Sequence, residues 1–370
     1  MRPWPDSGVG NALRQIVAVA GGLAGGTVWW LLSLPLPWMV GSMVGGTLIG
    51  LLPMRPMVGR HWRSAMMIAV GIIVGSAVPA NFLDAISGWH ISLAMIAAYT
   101  VTVMIVGTLL LRRFAGYDAV SSYCMAAPGG FMEMVLIGTA MGADPNRIAL
   151  VHSVRMLFVV LIVPPLMVTS GPEPGAGSMT GIAGGMAGGA GGEGAIGIQD
   201  VLVLAGCVAG ALIGRRLRVP GALMVVPMML TGTAYLTGLT DAHLPPWALV
   251  VAQVVVGTSM GCGIALLRPS TMLKALMFGT VLVSVFLVFS AGFAAALSMI
   301  TGLPINLAFL LFAPGGAPEM SLIALSLGME PAMVASHHIF RLLLVVSLAP
   351  VVGRMLRRRA EGGDPERAAP

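Results

Sequence analysis

Ala127-Pro128-Gly129-Gly130-Phe131-Met132-Glu133-Met134 returns 186 positions further along the chain as Ala313-Pro314-Gly315-Gly316-Ala317-Pro318-Glu319-Met320. The match extends outward without a gap. Gly142 falls on Gly328, Pro145 on Pro331, His152 on His338, Arg155 on Arg341 and Pro164 on Pro350, while upstream Gly71 and Gly75 fall on Gly257 and Gly261. Self-similarity at one long offset marks a chain built from two copies of one unit, and it outranks local propensity as a guide to architecture. In both copies charged residues stand inside apolar stretches, so the duplication points at a site.

With 57% hydrophobic and 9% charged residues, and a mean hydropathy of +0.93, the chain has too little polar surface to cover a soluble globule. The expectation is an integral membrane protein. Its two polar tails are too short for a soluble catalytic or nucleic-acid-binding domain, so the pI of 9.9 is read as a membrane signal and no nucleic-acid partner is expected. Arg2 and Arg14 precede an apolar run that continues into the first repeat, which reads as an uncleaved first span. Cys124, Cys207 and Cys262 are odd in number and lack CxxC spacing, which argues against a disulfide framework or a zinc site.

Apolar spans are expected near 12–33, 36–53, 63–83, 90–111 and 147–169, and again near 199–214, 219–237, 246–267, 275–299 and 332–353. Each half holds one further segment, 117–142 and 304–328, that either crosses once or enters and leaves as two half-helices. Basic residues separate the two arrangements. If both segments cross, Arg147, Arg215, Arg216, Arg218, Arg268 and Lys274 end opposite the remaining arginines, against the positive-inside rule. If both are re-entrant, all of these residues share the cytoplasmic side, and the outer loops near 33–37, 82–90, 170–200, 238–246, 300–304 and 328–332 hold no Lys or Arg.

The second arrangement defines the expected fold class. It is an all-α polytopic membrane protein of two inverted-topology repeats, each with five transmembrane helices plus one re-entrant or broken helix with a Pro-Gly-Gly tip. Five crossings per repeat is an odd number, so the halves take opposite orientations and the two tips should meet near the bilayer midplane. The expected organisation is repeat 1 over 12–170, a Gly-rich extracytoplasmic linker over 171–197, repeat 2 over 198–357 and a tail over 358–370, with both termini cytoplasmic. The linker composition suits a flexible tether.

Irregular backbone at membrane depth is tolerated where protein or a water-filled cavity replaces the missing hydrogen bonds, and paired breaks in related halves point to a transporter binding site. The candidate solute- or ion-binding residues are Pro128, Gly129, Gly130, Glu133, His152 and Arg155, with Pro314, Gly315, Gly316, Glu319, His338 and Arg341. The half-helices starting near Gly130 and Gly316 direct free N–H groups and a positive dipole end toward the tips, which favours an anion. Glu133 and Glu319 have two readings: a local cap or counter-ion to arginine, or a buried carboxyl that carries a proton. Arg155 and Arg341, each three residues after a histidine on one helix face, pair either with those acids or with a substrate carboxylate or phosphate. His152 and His338 read as core histidines or as a proton relay.

No catalytic residue, metal ligand or cofactor is assigned. The 19-residue spacing from glutamate to histidine is no ligand motif. Small-xxx-small pairs such as Gly21/Gly25, Gly41/Gly45, Gly71/Gly75, Gly206/Gly210 and Gly257/Gly261 suit close helix packing, either within the bundle or across a homo-oligomer face. The 28 methionines read as adaptable packing.

The duplicated Ala-Pro-Gly-Gly-x-x-Glu-Met followed by a His-x-x-Arg span resembles the AbrB family of bacterial membrane proteins, over roughly Arg14 to Arg357. That family carries three labels: ammonia monooxygenase, membrane regulator of gene expression, and AbrB family transporter. Pro128, Gly129, Gly130, Glu133, Pro314, Gly315, Gly316 and Glu319 fit its pattern without departure. The resemblance implies a fold more than an activity, and nothing here resembles the small DNA-binding regulator that shares the name. Scattered histidines offer no copper brace or iron-carboxylate set for a monooxygenase. The expected function is that of a secondary transporter of the bacterial inner membrane, moving a small anionic solute, with proton coupling as an option. The rivals are a membrane protein that regulates expression through a partner and a metal-dependent membrane enzyme.

Overall fold

The computed structural model describes residues 8–34, 36–79, 82–128, 130–169, 198–217, 220–240, 244–265 and 269–361. Gly129, Arg2, Arg218, Arg268, the 171–197 linker and the tail beyond 361 lie outside the described residues. Among the described residues the chain is helical and contains no strand. In the first half, α1 is Gly8–Leu31 and a short π-helix, Pro37–Gly41, runs directly into α2, Ser42–Gly50. They are followed by α3 (Arg60–Ser76), α4 (Phe82–Ser87), α5 (His90–Leu110), α6 (Ala119–Ala126), α7 (Phe131–Ala140) and α8 (Pro145–Thr169). In the second half, α9 is Ile198–Arg216, α10 Ala222–Leu236, α11 Pro246–Ala265, α12 Pro269–Thr301, α13 Ile305–Phe312, α14 Ala317–Ser326 and α15 Pro331–Glu361.

Helix boundaries repeat at the offset seen in the sequence. Shifted by 186 residues, α6 coincides with α13 at both ends, α7 with α14 at both ends, and the start of α8 with the start of α15. Local chemistry explains the match. The chain leaves α7 and α14 through Gly142 and Gly328, with φ of 88° and 66°, a left-handed conformation that costs glycine little. Ala143 N then donates to Gly138 O at 2.8 Å, and Met329 N donates to Ala324 O at 2.8 Å, satisfying carbonyls at the helix ends. Pro145 and Pro331 open the next helices, where a missing N–H is harmless.

Packing partners exchange in the same way. Helix α2 lies on α11 and α3 lies on α10; α5 lies on α6 and α12 on α13; α8 meets α12 and α15 meets α5. Glycines set the closest approaches. A methyl group on Gly71 or Gly75 would run into Met224 O or Met228 O of α10, and one on Gly257 or Gly261 into Met39 O or Met43 O of the π-helix–α2 segment. Gly25 and Gly45 bring α1 against α2 in the same manner. These pairs therefore serve packing inside the bundle. Gly206 differs, since nothing lies within 4 Å of a methyl group built on it.

Four helices among the described residues are long and apolar enough to cross a bilayer: His90–Ala115, Arg147–Met167, Leu276–Thr301 and Pro331–Ala349. Ala222–Leu236 and Trp247–Gly263 are apolar but shorter. The expected second span is divided between a π-helix and a 9-residue helix, and the third is a 17-residue helix, so neither reaches membrane length as a single helix. The sequence expectation placed helix α12 at 275–299; it starts earlier, at Pro269. The protein is thus all-helical and compatible with a membrane.

Candidate functional site

Two helices stop just before the duplicated motif and two start within it. Helix α6 ends at Ala126 and α7 begins at Phe131; α13 ends at Phe312 and α14 begins at Ala317. Each stop leaves carbonyl groups with no partner inside the helix, and burial denies them water. Ala126, Ala127 and Pro128 are buried, as are Phe312, Ala313, Pro314 and Gly315.

The histidine and arginine of the following helix answer that need. His152 Nε2 lies 2.9 Å from Cys124 O, and Arg155 Nη1 donates to Ala127 O at 2.6 Å. In the second copy His338 Nε2 lies 3.0 Å from Leu310 O, and Arg341 Nη1 donates to Ala313 O at 2.8 Å. Arg341 Nη2 also donates to Gly315 O at 2.5 Å. Within each pair the side chains are bonded to one another, Arg155 Nη2 to His152 Nδ1 at 3.0 Å and Arg341 Nη2 to His338 Nδ1 at 2.9 Å.

Guanidinium nitrogens only donate, so Nδ1 of each histidine must accept and Nε2 must carry the hydrogen that reaches the carbonyl. Both rings are accordingly neutral Nε2–H tautomers with both nitrogens engaged. Neither ring offers a free nitrogen to a metal, and among the described residues no group of three or more His, Cys, Asp or Glu is arranged to hold one.

The arginines therefore have a partner the sequence reasoning did not weigh, the backbone of the break itself. Arg155 is 1% exposed and Arg341 2%. Among the described residues the ion pair within 4 Å is Arg147 with Asp144, and neither Glu133 nor Glu319 forms one. Each glutamate is the third residue of its half-helix and folds back over the glycine before it, Gly130 or Gly316, where its Oε2 fills the space a β-carbon would need. That is the placement of the local cap reading. Glu319 is 7% exposed and Glu133 half-buried.

The two copies face one another. A methyl group on Gly130 would come within 3.0 Å of Leu342 Cδ1, and one on Gly316 within 3.4 Å of Met156 Cε. Met156 and Leu342 are a repeat pair, and each follows an arginine of the site. Arg155 has Arg341, Tyr99 and Glu319 within electrostatic reach, so charged groups of both halves share one buried region.

Tyr99 was missed by the sequence reading. Its hydroxyl lies 3.0 Å from Ser290 Oγ, which is 3.0 Å from Phe312 O, another carbonyl at the end of α13. The position equivalent to Tyr99 in the second repeat is Val285, so comparison of the halves hides it. A tyrosine inside an apolar run was the available signal. His337 is also fully buried, with Nε2 2.8 Å from Ser92 Oγ and its ring 5.1 Å from that of Trp89, away from the symmetric set.

The class of protein is thereby defined: an all-helical, membrane-compatible protein in which buried arginines hold the backbone carbonyls at two helix breaks. The family model described as "Transition state regulatory protein AbrB" matches residues 38–357, and the chain belongs to that family. It is similar to "Uncharacterized protein YhjN" of Bacillus subtilis (strain 168), 24% identical over 381 residues that cover 94% of each chain. It is also similar to "Putative regulator AbrB" of Escherichia coli (strain K12), 25% identical over 346 residues, 91% of this chain and 93% of the relative.

Proposed function

We propose that the protein is a secondary transporter of a small anionic solute, bound where the two Pro-Gly-Gly breaks converge. One observation carries the reading: a buried guanidinium group from each repeat holds a carbonyl at its helix break, and that of Arg341 forms no ion pair with an acid among the described residues. Backbone carbonyls satisfy their hydrogens but do not cancel their charge, and a buried cation without a counter-charge is expensive. An anion would supply that charge. The starts of α7 and α14 would add free N–H groups and a positive dipole end.

In this reading the two halves have inverted topology, the breaks are tips of re-entrant hairpins crossing at mid-depth, and both termini are cytoplasmic. Support comes from the basic residues, which fall on one side only if the hairpins are re-entrant. Alternating access would come from relative movement of two bundles. Helices α1–α3 with α9–α11 pack chiefly among themselves, as do α5–α8 with α12–α15, which hold the breaks.

A second reading has its own observation. The Escherichia coli relative bears the name "Putative regulator AbrB", and the family description speaks of a regulatory protein. Under it the site senses its ligand and a partner carries the signal.

The discriminating experiment is reconstitution in sealed vesicles, recording proton movement while small organic acids, amino acids and ammonium are added, with Glu133→Gln and Glu319→Gln in parallel. Solute-dependent flux from wild type, lost on substitution within the site, supports transport. Absence of flux across the panel from folded protein sinks it in favour of the regulatory reading.

A further inference from the structure

Glu133 and Glu319 occupy the same place in two related half-helices, yet their surroundings differ. Glu133 is half-buried. Glu319 is 7% exposed, and its Oε2 is buried with no hydrogen-bond partner among the described residues. That oxygen rests on the bare Cα of Gly316, which has nothing to donate.

The groups around Glu319 do not remedy this. Helix α15 brings His337, His338 and Arg341; His338 is held neutral by its hydrogen bonds, and Arg341 is bonded to Ala313 O and Gly315 O. His337 is bonded to Met333 O and Ser92. Helix α3 brings Arg60, His61 and Arg63, all exposed, and α13 carries no titratable side chain. The carboxyl has a hydrogen bond to its own backbone N–H, and Arg63 and Arg155 act on it through space without forming an ion pair, which leaves Oε2 without a partner. A carboxylate left so, in a site closed to water, is costly to keep ionised, and its physical remedy is a proton or a cation. A metal cation needs several ligands, and among the described residues no group of three or more His, Cys, Asp or Glu side chains is arranged to hold one. A proton needs one oxygen.

We propose that Glu319, and not its less buried repeat partner Glu133, is the proton-binding carboxyl of this protein, and that an anion in the neighbouring site raises its proton occupancy. The clause about the anion rests on the transporter reading. An anion beside Arg155 stands within reach of Glu319, and like charges in a low-dielectric site oppose one another. Solute and proton therefore bind together. By linkage, protonation of Glu319 tightens solute binding by the same factor by which solute tightens proton binding. The two repeats divide their labour: one glutamate only half-buried at its helix start, the other buried as the coupling group.

The test is carboxyl labelling of purified full-length protein with dicyclohexylcarbodiimide, read residue by residue by peptide mass spectrometry across a pH series. A protonated carboxyl adds its O–H across the reagent's C=N bond and rearranges to a stable N-acylurea; a carboxylate does not. The expected result is an adduct on Glu319 that declines as pH rises, none on Glu133, retention in Glu133→Gln and loss in Glu319→Gln. Infrared spectra supply a reading that needs no reagent access, a protonated-carboxyl C=O band present in wild type and missing from Glu319→Gln. Equal labelling of both glutamates, loss of labelling on adding sodium, or absence of both the adduct and the band overturns the proposal. Neither measurement requires a solute, so failure of the transport reading in vesicles leaves this result standing by itself.

Discussion

At the scale of single residues, the arginines decide how the breaks are held. An arginine inside an apolar helix announces a partner, but the sequence does not say which. Acid and substrate were the natural expectations because both carry charge. The geometry gives Arg155 and Arg341 backbone carbonyls instead, through a planar fork that serves two or more acceptors at once. Arg341→Met should therefore destabilise the fold, since Ala313 O and Gly315 O would each stay buried and unpaired at about 1–3 kcal/mol. Arg341→Lys should recover part of the loss, because an ammonium cannot reproduce the fork. Thermal unfolding in detergent measures both, and an unchanged midpoint in Arg341→Met would remove the carbonyls as the reason for this residue. The histidine–arginine spacing was legible, as three residues on a helix place both side chains on one face. The acceptors were not, lying 28 positions away in sequence at Cys124, Ala127, Leu310 and Ala313.

At the scale of elements, glycine separates helices that must touch from helices that face outward. Gly257 on α11 sits against Met39 O, whereas Gly206 on α9 has open space around it. Gly257→Leu should force α11 away from α2 and cost roughly 1–3 kcal/mol or more, seen as loss of a monodisperse peak on size-exclusion chromatography. Gly206→Leu should stay within about 0.5 kcal/mol of wild type. If the two substitutions prove equally harmful, the packing assigned to α2 and α11 is wrong, or Gly206 meets a second copy of the chain. Sequence listed both glycines under one pattern, because spacing on a helix does not reveal what lies opposite. The division of the second span into a π-helix and a short α-helix was equally hidden. An apolar run reports burial, not whether the backbone stays regular within it.

At the scale of the whole molecule, the proposed inverted arrangement makes a prediction about sides. Ser87, the last residue of α4, should face outward, and Arg147, near the start of α8, the cytoplasm; both are exposed. Ser87→Cys in intact spheroplasts should react with a membrane-impermeant maleimide, and Arg147→Cys should react only after lysis. Background should be low because Cys124, Cys207 and Cys262 are buried. Labelling of both positions from outside would refute re-entrant hairpins and with them the opposed orientation of the halves.

The duplication, the all-helical class and the positions of both helix breaks follow from the sequence alone. A 186-residue self-match, an apolar composition and Pro-Gly-Gly interruptions are one-dimensional facts with direct local consequences. Pairing is a different matter. Which carbonyl meets which guanidinium, which glycine lies under which helix, and which of two like glutamates loses its contact with water depend on distances between segments far apart in the chain. Tertiary structure alone decides those, because a hydrogen bond or a desolvated charge is a property of two neighbours in space, and the repeat specifies one of them at a time.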